Sequence, residues 1–200
     1  MKKVFYIFRH GETDWNKERR CQGHTDVALN QTGISQAREL AAKVKELNLD
    51  IIYSSDLLRA KETGSIVARH SDIPIVFDSR LREMSYGEAE GMFFQDAINL
   101  FGEGLWQQLQ SFKKENDHVG FPGGETRKIA RERFINVIFE IIQSTGHQRI
   151  GLSTHGGALR NVLQSFLPED HPVLPIPNCV VYELIYHGEE KIFTVNIEPV

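Results

Sequence analysis

A short apolar run that ends abruptly in a polar turn places the strongest constraint on the fold. Residues Val4 to Phe8 are rich in β-branched and aromatic side chains, and Arg9-His10-Gly11 follows at once. This pattern is typical of a buried strand that ends in a turn. In an open α/β sheet, ligands bind beyond the carboxyl ends of the strands. The sequence therefore predicts that an arginine and a histidine lie where a ligand site forms.

A second predicted strand ends in the same kind of turn near the other end of the chain. Residues 149–154 are expected to form this strand, and His155-Gly156-Gly157 follows directly. A helix is predicted over residues 158–166, and the free N–H groups at the start of a helix attract anions. We therefore expect His155 and its glycine turn to share an edge of the sheet with the first histidine.

The order of the predicted elements indicates an α/β fold. The predicted strands lie at residues 4–8, 50–54, 74–77, 149–154, 180–186 and 192–197. The last two form a hairpin, which adds an antiparallel strand to an otherwise parallel sheet. We expect a three-layer sandwich with a mostly parallel mixed sheet of about six strands and helices on both faces. One domain is expected over residues 1–200, with an inserted helical lid at about 92–123.

Polar side chains mark the predicted starts of the long helices. Thr32 is the expected N-cap of the first helix and Ser55 of the second, because their hydroxyl oxygens can accept from free backbone N–H groups. A third long helix is expected after Thr126. Its predicted buried face consists of Ile129, Ala130, Phe134, Val137, Ile138, Ile141 and Ile142.

Composition limits the classes of function. The chain has 200 residues and a formal net charge of -4, so no overall positive field favours a nucleic-acid partner. Its two cysteines, Cys21 and Cys179, are too few for a disulfide framework and fit a reducing compartment. No apolar run approaches the length of a membrane span. We expect a soluble, cytoplasmic protein without a nucleic-acid or membrane partner, and no tail beyond Val200 to close over a site.

Arg59 is a candidate anion ligand. It lies in the first part of the second predicted helix, where the helix dipole disfavours a cation. Helical side chains lean toward the N-terminus of the helix, so the guanidinium of Arg59 is expected near the carboxyl edge of the sheet. An anion bound there would explain why a cation occupies this unfavourable position. The alternative is a surface arginine paired with Asp56 or Glu62.

A charged loop after the third strand is the expected source of a general acid. Residues 78–91 contain Glu83, Glu88 and Glu90, and each is a candidate for that role. The residues alone do not distinguish among the three.

Two further segments have no regular periodicity over their length. Residues 11–31 are predicted to form an ordered polar loop over the site, anchored by Trp15 and Leu29. Some apolar residues of the predicted lid at 92–123 have helical spacing, but phenylalanines and glycines interrupt this pattern. Within it, Trp106 is predicted to be packing core rather than a platform for a ligand.

These residues predict a phosphate site better than a metal site. A zinc site made from His10, Asp14, His24 and His155 is conceivable, but arginines nearby would repel a cation. The Gly-x-x-x-x-Gly-Lys loop of nucleotide-hydrolysing enzymes is absent. A phosphate clamp fits instead, in which Arg9 and Arg59 neutralise the anion while His155 and the glycine turn add donors. His10 can then attack phosphorus while a carboxylic acid protonates the leaving oxygen.

Several motifs occur in the order found in one known family. They are Phe8-Arg9-His10-Gly11-Glu12-Thr13-x-x-Asn16, Gln22-Gly23, Ser55-Asp56-Leu57-x-Arg59-Ala60-x-Glu62-Thr63, Leu81-Arg82-Glu83, Gly123-Gly124-Glu125 and His155-Gly156-Gly157. On these motifs the chain resembles the histidine phosphatase superfamily, the phosphoglycerate mutase-like enzymes, over essentially its whole length.

The resemblance implies a role for each candidate. His10 would be the phosphorylated nucleophile and Glu83 the proton donor, which decides among the three glutamates. The residues implied to hold the phosphoryl group or line the substrate side are Arg9, Asn16, Gln22, Gly23, Arg59, His155 and Gly156. No metal and no cofactor are implied, and the second nitrogen of the nucleophile should donate to a backbone carbonyl. Family members often have tryptophan or leucine where Ala89 stands.

The expected function is a phosphomonoesterase acting on a small phosphorylated metabolite, as a monomer or homodimer. One alternative is a 2,3-bisphosphoglycerate-dependent phosphoglycerate mutase, and another is a non-catalytic phospho-ligand binder. Hydrolysis is favoured because Met84 rather than a basic residue follows the proton donor. The lid also offers only Lys113 and Lys114 as cations for a second anionic group.

Overall fold

A mixed six-stranded sheet forms the centre of the computed structural model, which describes residues 2–200. The strands are β1 (Lys2–Arg9), β2 (Ile51–Ser54), β3 (Ile75–Phe77), β4 (Arg149–Thr154), β5 (Val181–His187) and β6 (Ile192–Asn196). Their order across the sheet is β3-β2-β4-β1-β5-β6. The first four in this order are parallel, whereas β5 pairs antiparallel with both β1 and β6. The predicted mostly parallel sheet with a C-terminal hairpin is confirmed.

Seven α-helices accompany the sheet within residues 2–200. They are α1 (Asp14–Glu18), α2 (Gln31–Lys45), α3 (Leu58–Ser71), α4 (Phe94–Phe101), α5 (Glu103–Gln110), α6 (Arg127–Ser144) and α7 (Gly156–Gln164). None of the helices in this part of the chain is both long and apolar enough to cross a membrane.

The side chains of β1 show how the helices form the two outer layers. Successive residues of a strand point to opposite faces. Phe5 and Ile7 pack in the cluster that contains the buried residues of α6 and α7. Tyr6 and Phe8 pack in the cluster formed with α2 and α3. The α/β sandwich with helices on both faces is therefore confirmed.

The carboxyl ends of three neighbouring strands bring the conspicuous polar residues together. β1, β4 and β2 are adjacent and parallel, so the residues that follow them meet at one edge. These residues are His10, His155 and Ser55. The convergence of the two histidine turns, which the sequence predicts, follows from this register.

Several predicted local details are wrong. The N-cap of α2 is Asn30 rather than Thr32, because the Asn30 side chain accepts from the backbone N–H of Gly33 at 2.9 Å. The N-cap of α3 is Leu57 rather than Ser55, whose hydroxyl accepts from the backbone N–H of Leu57 at 3.3 Å and lies 2.8 Å from Nε2 of His155. The expected loop over residues 11–31 contains the short helix α1, and Ile129 is 53% exposed instead of buried.

Candidate active site

His10 follows the central strand β1 and lines a cavity at the carboxyl edge of the sheet. Its backbone N–H donates to the carbonyl of Thr154 at 3.0 Å, and the residue is 3% exposed. Nδ1 lies 2.6 Å from the carbonyl oxygen of Gly11. Because a carbonyl oxygen can only accept, Nδ1 carries the proton and Nε2 keeps a free lone pair. This is the tautomer that the sequence predicts for a nucleophile.

The surroundings of His10 keep its ring neutral. Burial lowers its pKa well below the ordinary value of 6.5, because the charged imidazolium loses its hydration. The positive charges of Arg59 and Arg9 lower the pKa further, while the hydrogen bond to Gly11 opposes them. A neutral imidazole with a free Nε2 is chemically able to act as a nucleophile.

His155 lies beside His10 at the start of α7. The two ring centroids are 5.3 Å apart, and His155 is fully buried. Its Nε2 is 2.8 Å from the Ser55 hydroxyl, whereas its buried Nδ1 has no partner within residues 2–200. Burial, followed by the charge of Arg59, lowers its pKa well below the ordinary value. Both histidines are therefore neutral at pH 7.

Glu83 supplies the carboxyl group of the cavity. One oxygen accepts from the backbone N–H groups of Met84 at 2.9 Å and Ala158 at 2.6 Å, and the other accepts from Gly157 at 2.8 Å. Two of these donors belong to the first turn of α7, where the helix dipole favours negative charge. A Cβ atom at Gly157 would lie 2.7 Å from Oε1 of Glu83 and would force this carboxylate to shift.

The other two candidate acids occupy different positions. Glu88 is exposed at the surface. The Glu90 carboxylate accepts from the backbone N–H groups of His24, Thr25 and Tyr86, and therefore braces the loop around residue 24. Among the three glutamates, only Glu83 lines the cavity. This geometry distinguishes carboxyl groups that the residue types alone cannot distinguish.

Arg9, the last residue of β1, also lines the cavity. Its Nη1 donates to the carbonyl of Ile176 at 2.7 Å, while its buried Nε has no partner within residues 2–200. Burial lowers its pKa, and the carboxylate of Glu83 opposes that shift. An arginine with an unused donor is thus fixed next to the nucleophile candidate.

Arg59 is fully buried and does not line the cavity. Its guanidinium donates to the carbonyl oxygens of Gly23 at 2.7 Å and Thr25 at 3.0 Å. Its Nε has no partner among the described residues. Burial lowers its pKa to about 10, partly offset by the charges of Glu83 and Asp26. Arg59 therefore remains charged at pH 7 and holds the loop that follows α1.

The polar residues of that loop divide into two groups. Asn16 and Gln22 line the cavity, and both bond to Thr13. Gly23 lies outside the cavity lining, and its carbonyl oxygen accepts from Arg59. The structure thus places six of the predicted site residues on the wall, namely Arg9, His10, Asn16, Gln22, Glu83 and Gly156. Gly23, Arg59 and His155 are not part of the wall.

The cavity has a volume of about 350 Å³ and contains residues that the sequence reasoning missed. The additional polar wall residues are Arg20, Tyr86, Gln110, Arg127, Arg160 and Asn161. One signal was present in the sequence, because Gly156 and Arg160 are four residues apart and share a face of the helix that follows the turn. For Arg127 no comparable signal exists.

The segment 92–123 contributes the aromatic side chains Phe94, Trp106, Phe112 and Phe121 to the wall. Phe94, Trp106 and Leu109 from α4 and α5 line the cavity. Trp106 also packs against Phe94, with ring centroids 5.4 Å apart, so it is both packing core and cavity wall. Ala89 is fully buried in the adjoining cluster and does not form part of the wall.

Within residues 2–200, no three histidine, cysteine, aspartate or glutamate side chains are grouped in a way that could hold a metal ion. In particular, His24 directs Nε2 to the backbone oxygen of Glu83 at 2.8 Å. The Asp14 carboxylate accepts from Asn30. The conceivable zinc site of His10, Asp14, His24 and His155 is therefore not assembled.

Comparison with known proteins gives one consistent result. The family described as "Histidine phosphatase superfamily (branch 1)" matches residues 5–197. The "Uncharacterized phosphatase PhoE" of Bacillus subtilis is 34% identical over 157 residues, which are 78% of this chain and 74% of that protein. The 2,3-bisphosphoglycerate-dependent phosphoglycerate mutase of Parvibaculum lavamentivorans is 30% identical over 202 residues, with 96% and 93% covered.

A solved structure resembles the whole chain. The mycobacterial glucosyl-3-phosphoglycerate phosphatase in complex with VO3 superposes with a TM-score of 0.84 at 25% identity. The match covers 98% of this chain and 96% of that one. The fold and the sequence thus point to the same group of proteins.

Proposed function

The chain belongs to the histidine phosphatase superfamily, and from this premise we propose that it is a phosphomonoesterase that hydrolyses a small phosphorylated metabolite through His10. Its relatives carry the names of phosphatases and of mutases, so phosphoryl transfer is the chemistry they share. Hydrolysis, with Glu83 as general acid and base, is the more specific proposal.

One observation carries the proposal: the side chains around His10 hold buried polar nitrogen atoms that have no hydrogen-bond partner within residues 2–200. Arg9 Nε, Arg59 Nε and His155 Nδ1 are buried nitrogen atoms without a hydrogen-bond partner within residues 2–200. Buried polar atoms in native proteins almost always have a partner, so such a cluster calls for a missing acceptor. A phosphate group offers several acceptor oxygens and the negative charge that two buried guanidinium groups favour. The residues that resemblance assigns to the phosphoryl group are thus proposed to bind it.

The first step forms a covalent intermediate. The lone pair on His10 Nε2 attacks phosphorus in line with the ester oxygen, and the P–O bond to the leaving group breaks. In the proposed cycle the Glu83 carboxyl group takes up a proton when the phosphoester binds, and gives it to the departing oxygen. The charge that spreads over the transferring oxygens is stabilised by Arg9 and Arg59, which are held before the reaction begins.

The second step releases phosphate. Glu83 takes a proton from water, the water oxygen attacks phosphorus, and the P–N bond breaks. The electron pair returns to Nε2 of His10, and Glu83 is protonated again for the next cycle. The hydrogen bond from Nδ1 to Gly11 keeps the same ring nitrogen available in each cycle. Asn16, Gln22, Gly23 and Gly156 are proposed to position the substrate.

A panel of phosphorylated metabolites tests the proposal directly. We expect inorganic phosphate to be released from at least one of them at a rate that depends on His10. The His10→Ala variant should reduce release to background. His70→Ala, which changes an exposed histidine of α3, should behave like the wild type. Turnover that survives His10→Ala would refute the assignment, and binding without any turnover would favour the non-catalytic phospho-ligand binder.

The mutase remains a second candidate because of one structural feature. Arg127 and Arg160, which lie outside the segment 92–123, line the cavity and add cations to the two lysines that the sequence offers in that segment. The similarity to the mutase of Parvibaculum lavamentivorans extends over nearly the whole chain. Faster interconversion of 3- and 2-phosphoglycerate, primed with the bisphosphate, than phosphate release from any metabolite would favour the mutase. The monomeric or dimeric state and the cytoplasmic location stay predictions.

A further inference from the structure

The Gly123-Gly124-Glu125 motif has no role in the proposed chemistry, yet it packs against the loop that carries Glu83. The backbone N–H of Glu125 donates to the carbonyl of Ser85 at 2.9 Å. A Cβ atom at Gly124 would lie 2.6 Å from the same carbonyl oxygen, so a side chain there would push the two backbones apart. The motif therefore brings Glu125 into direct contact with this loop.

The Glu125 carboxylate connects the loop to helix α6. Its Oε2 accepts from the backbone N–H of Ser85 at 2.9 Å and from Nη2 of Arg133 at 2.8 Å. Its Oε1 accepts from Nε of Arg133 at 2.8 Å, which completes a bidentate ion pair. Burial on its own would raise the pKa of Glu125, but the hydrogen bonds from Arg133 and Ser85 lower it overall. The carboxylate is therefore charged at pH 7 and keeps Arg133 in one orientation.

Arg133 uses its remaining donors on the backbone of residues 80–85, the acid loop. Its Nη1 donates to the carbonyl oxygens of Arg80 and Arg82, both at 2.8 Å, and its Nη2 donates to that of Glu83 at 2.6 Å. The carbonyls of Arg80 and Arg82 accept from no other donor within residues 2–200. All five N–H groups of the guanidinium thus have an acceptor, and three of these acceptors belong to the acid loop.

Glu83 is consequently held at both its side chain and its backbone. The first turn of α7 binds the carboxylate, whereas Arg133 binds the carbonyl oxygen. Nε2 of His24 lies 2.8 Å from the same carbonyl oxygen and adds one contact. Residues 82–86 belong to no helix or strand, so regular secondary structure does not fix this stretch. The hydrogen bonds from Arg133 fix it instead.

We propose that Arg133, oriented by Glu125, is the positioning residue for the proton donor Glu83. The inference rests on the proposed function, because it concerns the protonation of the leaving oxygen. Arg133 does not line the cavity, so it acts through the acid loop and does not contact the substrate. A general acid must lie within hydrogen-bond distance of the oxygen that it protonates, and a displacement of about 1 Å can cost about 100-fold in rate.

The dependence of the rate on the leaving group tests this role. Arg133→Gln should lower kcat/KM for an alkyl phosphate by about 10- to 100-fold more than for para-nitrophenyl phosphate, because only the alkyl ester needs the proton. Arg133→Lys keeps the charge but reaches fewer carbonyl oxygens, so its selective loss should be smaller. Equal losses on both esters for Arg133→Gln, alongside a selective loss for Glu83→Gln, would overturn the proposal.

A double variant shows whether Arg133 acts through Glu83. In the Glu83→Gln background, adding Arg133→Gln should no longer alter the preference between the two esters, because the group that it positions has been removed. A further selective loss on the alkyl ester in the double variant would show that Arg133 acts by another route and would contradict the proposal.

Arg131→Gln is the matched control. Arg131 also belongs to α6 and forms a bidentate ion pair with Asp117, and its side chain is 18% exposed compared with 17% for Arg133. Within residues 2–200, its guanidinium makes no hydrogen bond to the acid loop. We expect this variant to leave the preference between the esters unchanged. Should Arg133→Gln fail to fold in urea unfolding, Arg133→Lys provides the same comparison.

Amide hydrogen exchange, followed by NMR on the free protein, tests the positioning without any turnover. The N–H groups of Gly157 and Ala158 donate to the Glu83 carboxylate, so their exchange reports whether that group is in place. Arg133→Gln should speed their exchange by about 10- to 100-fold, the range that a hydrogen bond to a charged group implies. The N–H of Leu159, which donates to the carbonyl of His155 at 2.9 Å, should exchange as in the wild type.

The exchange measurement keeps this inference distinct from the proposed function. Faster exchange at Gly157 and Ala158 supports the positioning role even if Glu83→Gln slows both esters equally, a result that would refute Glu83 as the acid. Unchanged exchange at both amides in Arg133→Gln would overturn the positioning role while leaving phosphatase activity untouched.

Discussion

Replacing Glu83 by glutamine is the most informative single change in the proposed mechanism. The carboxylate accepts three backbone N–H groups, two on Oε1 and one on Oε2. Glutamine can keep the two bonds of Oε1, from Met84 and Ala158, if its amide group replaces Oε2. That amide group then faces the N–H of Gly157, and two donors oppose each other. The side chain keeps its shape but loses its negative charge and one hydrogen bond.

The magnitude follows from these contacts. Losing a hydrogen bond to a charged acceptor and leaving a buried N–H unpaired should lower the free energy of unfolding by about 1–3 kcal/mol. Losing the general acid should lower kcat/KM by about 10²–10⁴ for an alkyl phosphate, whose leaving oxygen needs a proton. Para-nitrophenyl phosphate, whose leaving group needs little protonation, should lose much less. The contrast between the two substrates, not the loss itself, identifies the acid.

The assay compares kcat/KM for both esters, together with urea unfolding to confirm that each variant is folded. Glu88→Gln is the matched control, because Glu88 is exposed and should affect neither substrate. Glu90→Gln removes the brace of the loop around residue 24 and should slow both substrates by a similar factor. Equal losses on both esters for Glu83→Gln would refute its role as proton donor.

Three further predictions concern the histidines and metal ions. Rapid quenching with a labelled substrate should trap an acid-labile, base-stable phosphoenzyme, and its persistence in His10→Ala would exclude that nucleophile. Activity should survive EDTA, because Arg9 and Arg59 supply the positive charge at the phosphoryl group; loss on chelation with recovery on adding a divalent ion would contradict this. The pKa values of His10 and His155 are lowered in the folded protein. Below pH 6.5, the ordinary pKa of histidine, these two side chains therefore bind protons in the unfolded chain but not in the folded one. As the pH is lowered from 6.5, the free energy of unfolding measured in urea should therefore decrease by about 1.4 kcal/mol per pH unit for each histidine. His155→Asn should reduce that slope. A flat profile would show that these rings titrate normally.

Some parts of the site could be predicted because they depend on local pattern and on the geometry of parallel strands. An apolar run followed by a polar turn marks a strand end, and parallel strands share one edge. His10 and His155 consequently lie side by side although 145 positions separate them in the sequence, with ring centroids 5.3 Å apart. The tautomer of His10 could also be anticipated, because a ring nitrogen that attacks must be unprotonated and the other nitrogen must then donate. The structure identifies the acceptor as the carbonyl of Gly11.

Helix starts were less predictable because capping side chains also have distant partners. Ser55 precedes a helix in the sequence, but its hydroxyl lies against His155 from another strand end. The glutamates of the loop after β3 are likewise distinguished by distant hydrogen-bond partners. Residue type makes Glu83 and Glu90 equivalent, yet one accepts from the first turn of α7 and the other from the loop around residue 24.

The sequence by itself determined the layers of the fold, the edge at which the site forms and the family, because periodicity and strand-end motifs are local properties. The motifs already singled out Glu83 among the three glutamates, and the structure puts its carboxyl group on the cavity wall. Only the tertiary structure decided which cations line the rest of the cavity. Arg127 and Arg160 belong to different helices and meet through packing of α6 and α7 against one face of the sheet. Their positions depend on burial and on hydrogen bonds to residues that are distant in the sequence. No spacing pattern along the sequence predicts such contacts.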